Sequence, residues 1–501
     1  MRFSIRRLIT SILLAVAVLH LSGCVTGKSL VTGRKRAYGY TWQQEIEIGR
    51  EADVDIVDQF GLYDDEELAS YVESLGQGLL AESHARRPEA PAEVQQTVFT
   101  FRVLDSPVIN AFALPGGYIY VTRGLLAHVE NEAQLAVVIG HEIGHVVGRH
   151  TSIRAATQTF GQVLLLGGAF GGQAIFGGDA GASILQGGGT IAQLAFLSYG
   201  RDAERESDKL GVEYAAITGY SSDEGADFFQ TLARLSQASG SRLPSFLSTH
   251  PDPGQRETQI HRMAAEWALA YPGGRVMRDA LFAQIDGIVV GENPRAGFTE
   301  DGVFYHPDLA FRFPVPVGYS VLNQANQVIL FAEDQESAMI VSIEQGVGTA
   351  REAAEKFGAQ DGMTVVQSGI GSAYGLPAQF VVVDVEEDGS DSTLRLRAHY
   401  VEYNGRVYSI LGMVSRDGYS ERQAGFIRTM QGFAPLRDAL KLNVQPSRLR
   451  VRTTTTGGIY RSLIPSSGAG GFSARELAIL NQVELGETIP AGTALKFVEG
   501  R

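Results

Sequence analysis

Apolar and polar residues along this chain follow two periods, one suited to helices and one to strands. Over Trp42–Phe60 and Asp65–Ser83 apolar residues recur at three- and four-residue steps, as on one face of a helix. Val98–Leu104 places Val98, Phe99, Phe101 and Val103 in partial alternation and reads as a strand. Ile109–Val121 is also apolar, but Pro115-Gly116-Gly117 divides it into strand, turn and strand. A helix is predicted from Ala133 to His150, with Asn131 or Glu132 favouring its N-terminal end. A polar helix begins at Arg201. Between Ala155 and Gly200 the chain is rich in Gly and Ala, with Asp179 its only charge. That stretch fits either two buried helices joined by a Gly-rich loop or a hairpin dipping into a membrane.

Gly291–Thr299 reads as a linker. Beyond it, strand patterns at Val328–Phe331, Ala338–Ile343, Ala378–Val383, Leu394–Glu402 and Arg406–Val414 mix with helical ones at Ala350–Phe357 and Ser420–Met430. After Pro435 come a strand at Arg448–Thr453, a helix at Ala474–Asn481 and a strand at Ala494–Val498. The predicted architecture is therefore α+β and multidomain. A mainly helical domain with a small edge sheet spans 41–292, an α+β domain with a mostly antiparallel sheet spans 300–436, and a small unit spans 440–501.

A chain of 501 residues is too long for one hydrophobic core, and 44% hydrophobic with 20% charged residues is the composition of folded protein. A formal net charge of −14 argues against nucleic acid as a partner, because phosphate binding needs concentrated Lys and Arg. The first residues differ from the rest. Arg2, Arg6 and Arg7 precede a short apolar run, Leu8 to Leu19, and then Leu21-Ser22-Gly23-Cys24. This describes a secretory signal over 1–23, with 24–40 as a tether. Cys24 is the only cysteine, so the chain has no internal disulfide.

The chemistry concentrates in His141-Glu142-Ile143-Gly144-His145. Residues four apart share a helix face, so both imidazoles can bind one ion from the same side. Glu142 lies about 100° further round the helix, where its carboxylate can take a proton from the attacking water and pass it to the leaving amine. Two imidazoles with a carboxylate favour zinc. Burying the charged HE..H patch within the apolar stretch Val138 to Val147 would be costly without a task. For the third ligand, the helix from Arg201 offers Glu204, which shares a face with Asp208, and Glu206, which does not. His150, just past His145, reads as a charge at a helix end.

The HExxH pentapeptide followed by Glu204-x-x-x-Asp208 resembles the HtpX, Oma and BepA group of zinc peptidases, which includes the CAAX prenyl proteases. The resemblance implies a zincin-type domain holding one Zn²⁺ through His141, His145 and Glu204, with Asp208 orienting a ligand histidine. Ser207 replaces the group's usual Ala, Gly144 stands where Ala is common, and Gln134 where an acidic residue is frequent. Asn110 to Gly117 resembles the strand and turn ahead of the metal helix, where an edge strand can pair with an extended substrate. Thr249-His250-Pro251 and Arg256 resemble the group's histidine loop and downstream Arg. His250 is then either an autoinhibitory fourth ligand or a loop residue capping a turn. Arg256 either polarises the oxyanion as a catalytic group or pairs with an acidic neighbour.

Leu21 to Cys24 resembles a bacterial lipobox, implying lipidation at Cys24. Val25 after it points to the outer membrane, with the protein facing the periplasm. His306-Pro307, Phe311 to Pro314, Pro316 and Gly318-Tyr319 resemble the first strands of PsbP-type domains. Ile479 to Gln482 and Ile489 to Val498 resemble a degenerate LysM unit, which either contacts peptidoglycan or keeps the fold without sugar binding. No 34-residue periodicity of helical repeats is present. The expected function is hydrolysis of peptide bonds in proteins of the cell envelope, as quality control. A chaperone or assembly factor with a plugged site, and a cell-wall scaffold with structural zinc, are the alternatives.

Overall fold

Thr41 and Gln44 form a reciprocal capping box that starts helix α1, Trp42–Phe60, and Asp65 caps α2, Glu66–Ala81. The computed structural model describes residues 25–157, 199–238, 246, 249–250, 253–386, 393–465 and 469–500. The predicted signal and nearly all of the Gly/Ala-rich stretch lie outside these residues.

The segment expected as a tether folds instead. Val25–Lys28 (β1) and Lys35–Tyr38 (β2) form an antiparallel hairpin, with Ser29 Oγ accepting from the amides of Val31 and Thr32 in the turn. It is anchored by Tyr38, whose buried ring supports the Arg149 guanidinium at 3.9 Å. Composition alone, basic and polar, hid both strands.

Thr100–Leu104 (β3), Ala111–Leu114 (β4) and Tyr118–Thr122 (β5) make a three-stranded sheet. In it β3 runs parallel to β5, and β4 pairs antiparallel with the other side of β5, so β4 is an edge. Arg123–His128 (α3) leads into Glu132–Gly148 (α4), with the Asn131 side chain accepting from the Gln134 amide. Every residue of α4 is buried, which makes it the central helix of the domain. It ends because Arg149 adopts the left-handed conformation, φ 57°, and the chain restarts as α5, His150–Thr157. Arg201–Ile217 (α6) and Glu224–Ala238 (α7) pack against it, and Pro253–Ala270 (α8) packs on both of these.

The crossing of α4 and α6 is close because small residues line it. A Cβ on Gly140 would come within 3.1 Å of Gly211, one on Gly211 within 2.8 Å of the Val137 carbonyl, and one on Gly144 within 3.1 Å of Ser207 Cα. Gly144 and Ser207, two departures from the family pattern, therefore set how near α6 can bring its carboxylates to the histidines.

Downstream, a seven-stranded antiparallel sheet runs in the spatial order Met363–Ala373, Leu376–Glu386, Thr393–Tyr403, Arg406–Ser415, Ser337–Ile343, Gln327–Ala332, Tyr319–Asn323. Helix Ala350–Gly358 covers one face and Tyr419–Gln431 the other. Phe298–Glu300, in the predicted linker, is a strand of a separate four-stranded sheet.

In the C-terminal unit Arg448–Thr453 pairs antiparallel with Ala494–Glu499, with helices Tyr460–Leu463 and Ala474–Leu480 between them. Its apolar residues Leu449, Leu477, Leu480 and Val498 join the same hydrophobic cluster as Leu135, Val138 and Leu232 of the helical domain. Buried Lys496 donates through Nζ to the carbonyls of Ala127 and Val129, both at 3.1 Å, and lies 3.0 Å from Glu130. Gln134, the third departure, exchanges hydrogen bonds with Gln482 at 2.8 and 2.9 Å.

Candidate metal centre

The helical spacing of His141 and His145 brings their Nε2 atoms 2.8 Å apart on one side of α4. Glu204, in the first turn of α6, places its carboxylate oxygens 3.6 Å from His141 Nε2 and 3.5 Å from His145 Nε2. The loop before α8 adds His250, whose Nδ1 lies 3.1 Å from both Glu204 oxygens and 3.3 Å from His141 Nε2. One ligand atom from each of these four buried residues falls within 4.8 Å of the others. Imidazole nitrogen and carboxylate oxygen are a donor set that suits zinc. The spacing of the four atoms fits a single ion.

Glu142 is fully buried, and neither of its oxygens has a hydrogen-bond partner among the described residues. Its Oε1 lies 3.5 Å from His250 Nε2. Burial, reinforced by the nearby Glu204 and Asp208 charges, pushes the Glu142 carboxyl up to about 7 against the pull of His250 and Arg256. A carboxyl held there can exchange a proton near neutral pH.

Behind the ligands lies a hydrogen-bonded layer. Asp208 Oδ1 is 3.0 Å from His141 Nδ1. Arg256 donates to Asp208 from Nε at 2.9 Å and from a terminal nitrogen at 2.5 Å, and lies 3.1 Å from Glu204. Phe229 supports the guanidinium at 4.1 Å. Although burial pushes the Asp208 carboxyl up, Arg256 and His141 together hold it at about 2. In the structure Arg256 is paired with acidic neighbours. Its donors are turned to Asp208, Glu204 and the His250 carbonyl.

Three neighbours of the site make contacts that the sequence did not indicate. His150, read as a helix-end charge, is buried with Nδ1 3.0 Å from His145 Nδ1, because the left-handed Arg149 turns it back toward the histidines. Glu206 accepts from His150 Nε2 at 3.0 Å rather than facing the ligand cluster. Tyr199 stacks on the His145 ring, with centroids 4.0 Å apart. The charge and spacing of Glu206 relative to Glu204 were visible in the sequence, but no periodic signal pointed to Tyr199.

Residues 69–264, which carry all of these groups, match the model of peptidase family M48. This stretch is an M48 peptidase domain. The M48 match joins His141, Glu204 and Arg256 in one domain, as the geometry does. The beta-barrel assembly-enhancing protease of Escherichia coli K12 is 32% identical over 197 residues, covering 39% of this chain and 38% of that protein. The mitochondrial metalloendopeptidase OMA1 of Danio rerio is 32% identical over 187 residues, covering 36% and 39%. The chain thus spans less than half the length of the curated relatives it matches. A solution structure of cyanobacterial PsbP from Synechocystis covers 26% of this chain and 91% of its own at 12% identity, with a TM-score of 0.23. Among the described residues no helix is long and apolar enough to cross a membrane.

Proposed function

We propose that this chain is a zinc-dependent metalloendopeptidase acting on proteins of a bacterial envelope. The observation that carries this is the convergence of His141, His145 and Glu204 beside the buried carboxylate of Glu142, which has no hydrogen-bond partner among the described residues. A zinc ion held by those three residues would polarise a scissile carbonyl and acidify water. The remaining steps belong to side chains of the chain itself. Glu142 takes the proton from the attacking water and returns it to the leaving amine. Asp208 accepts from His141 Nδ1 and fixes that ring so that Nε2 faces Glu204. Arg256 acts as a positioning residue, holding Asp208 and Glu204 in place. The edge strand β4, whose Ala113 and Leu114 line a small pocket with His145 and Tyr199, is where an extended peptide would add by backbone pairing.

Lipidation at Cys24 would tether the protein to the outer membrane facing the periplasm, a reading supported by the sequence around that cysteine. Residues 300–436 as a PsbP-like domain, and 440–501 as a LysM-like unit meeting peptidoglycan, rest likewise on sequence resemblance. Envelope quality control is the role supported by the likeness to the beta-barrel assembly-enhancing protease of Escherichia coli.

One observation favours a gated form. His250 sits within the ligand cluster and faces Glu142, as a plug would. A chaperone or assembly factor closed in this way is the second reading. Hydrolysis of casein by the purified full chain, with and without chelator and beside Glu142→Gln, tests the first. Chelator-sensitive hydrolysis lost in Glu142→Gln supports it. Hydrolysis undiminished in Glu142→Gln would refute it.

A further inference from the structure

The two ligand histidines are braced differently. His141 leans on a carboxylate, Asp208, whereas His145 leans on another imidazole, His150, at 3.0 Å between Nδ1 atoms. With His145 Nε2 turned to the ligand cluster, its Nδ1 must carry the proton and donate to His150 Nδ1. His150 Nδ1 is then an acceptor, consistent with Ser207 Oγ at 3.3 Å, which can also donate to it. The proton of His150 therefore sits on Nε2 and is donated to Glu206 Oε2 at 3.0 Å. Glu206 in turn receives both terminal nitrogens of Arg36, at 2.8 and 2.9 Å, in the two-pronged geometry that fixes a carboxylate plane.

Arg36 lies on β2, far outside the stretch that matches the peptidase family. The hairpin bearing it is fastened to α5 and to the turn between α4 and α5. The Gly39 amide donates to the Ser152 carbonyl at 2.8 Å, the Tyr40 amide to Ser152 Oγ at 3.0 Å, and Arg149 to the Tyr40 carbonyl at 2.6 Å and to Glu45. These bonds hold Arg36 in register with Glu206.

We infer that the N-terminal hairpin is a working part of the metal centre, with Arg36 a positioning residue that sets the proton and orientation of His145 through Glu206 and His150. The inference rests on the metallopeptidase reading and extends it to residues 25–40. The hydrogen bond behind a ligand imidazole raises its basicity and fixes its ring, so breaking the chain weakens zinc binding even where no ligand is touched.

Zinc affinity of the chelator-stripped full chain, measured by competition with a chromophoric chelator, tests this without reference to turnover. Glu206→Gln should weaken binding about 10–100-fold. Arg36→Met should weaken it several-fold, and Arg36→Lys should recover part of the loss. Because both act through His150, Arg36→Met combined with Glu206→Gln should bind no more weakly than Glu206→Gln alone. Wild-type affinity in Arg36→Met, or losses that multiply in the double variant, would overturn the inference. So would a lower melting temperature in Arg36→Met with zinc affinity intact. Unweakened zinc binding in Glu204→Gln would instead bring down the metal-centre reading, and the inference with it.

Discussion

His250 Nε2 lies 3.5 Å from Glu142 Oε1, while Nδ1 of the same ring lies 3.1 Å from both oxygens of Glu204. The loop imidazole thus occupies the ground between the third ligand and the acid–base carboxylate, and Phe246 stacks on it at 4.5 Å. A scissile carbonyl would need that ground. Replacing His250 by Ala should raise casein hydrolysis several-fold while zinc content stays the same. Equal or lower hydrolysis with zinc retained would rule out a gate at this position.

Arg256 and Asp208 form a buried pair, each the other's main charged partner, although Arg256 also reaches Glu204 at 3.1 Å and Asp208 reaches His141 Nδ1 at 3.0 Å. Arg256→Met leaves the Asp208 charge without its main partner inside the protein, which should cost about 3–5 kcal/mol in urea unfolding of the metal-free chain. Adding Asp208→Asn should recover part of that loss. Arg256→Lys should recover less than expected from charge alone, because an ammonium cannot reproduce the two-point contact. Unchanged unfolding in Arg256→Met would contradict the positioning role.

Much of the site was legible in the sequence because helical geometry is local. Four-residue spacing put His141 and His145 on one face, and the same rule put Glu204 with Asp208. The choice of Glu204 over Glu206 came from resemblance, and only the tertiary crossing at Gly140 and Gly211 shows which carboxylate faces the histidines. His150 was misread because an unbroken helix to residue 150 would carry it about 140° round from His145. The left-handed Arg149, a conformation uncommon for such a residue, breaks the helix and reverses that placement. The strand Met363–Ala373 was missed because it lies at the sheet edge, mostly exposed, and carries Gln367, Ser368, Gly369 and Gly371 where apolar residues would announce it. The sharing of one core by the C-terminal unit and the helical domain has no sequence signal at all, since each amphipathic face reads the same whatever it packs against.

Acid should loosen the metal-free protein through two carboxylates. Against the upward push of burial, His150 and Arg36 hold Glu206 at about 2, and Arg256 and His141 hold Asp208 at about 2, below their ordinary 4.5 and 3.8. A carboxyl depressed in the fold stabilises it fully above its unfolded value, and that stabilisation is lost as pH falls toward the folded value. The urea midpoint should therefore fall steadily from pH 5 to about 2. Glu206→Gln should flatten part of this slope, and an identical slope would show that Glu206 is not held by its partners.

The C-terminal unit should unfold together with the peptidase domain. Leu480 is wholly buried in their common cluster, so Leu480→Ala should cost about 2–5 kcal/mol and lower a single melting transition. Two separated transitions, with only one shifted by Leu480→Ala, would mean that the unit is an independent module.

Metal content bears most directly on the centre itself. Elemental analysis of the purified full chain should find one zinc ion per molecule in wild type and in Glu142→Gln, and little or none in Glu204→Gln or His145→Ala. Stoichiometric zinc in Glu204→Gln, or none in wild type after purification and zinc reconstitution, would contradict a catalytic ion held by His141, His145 and Glu204.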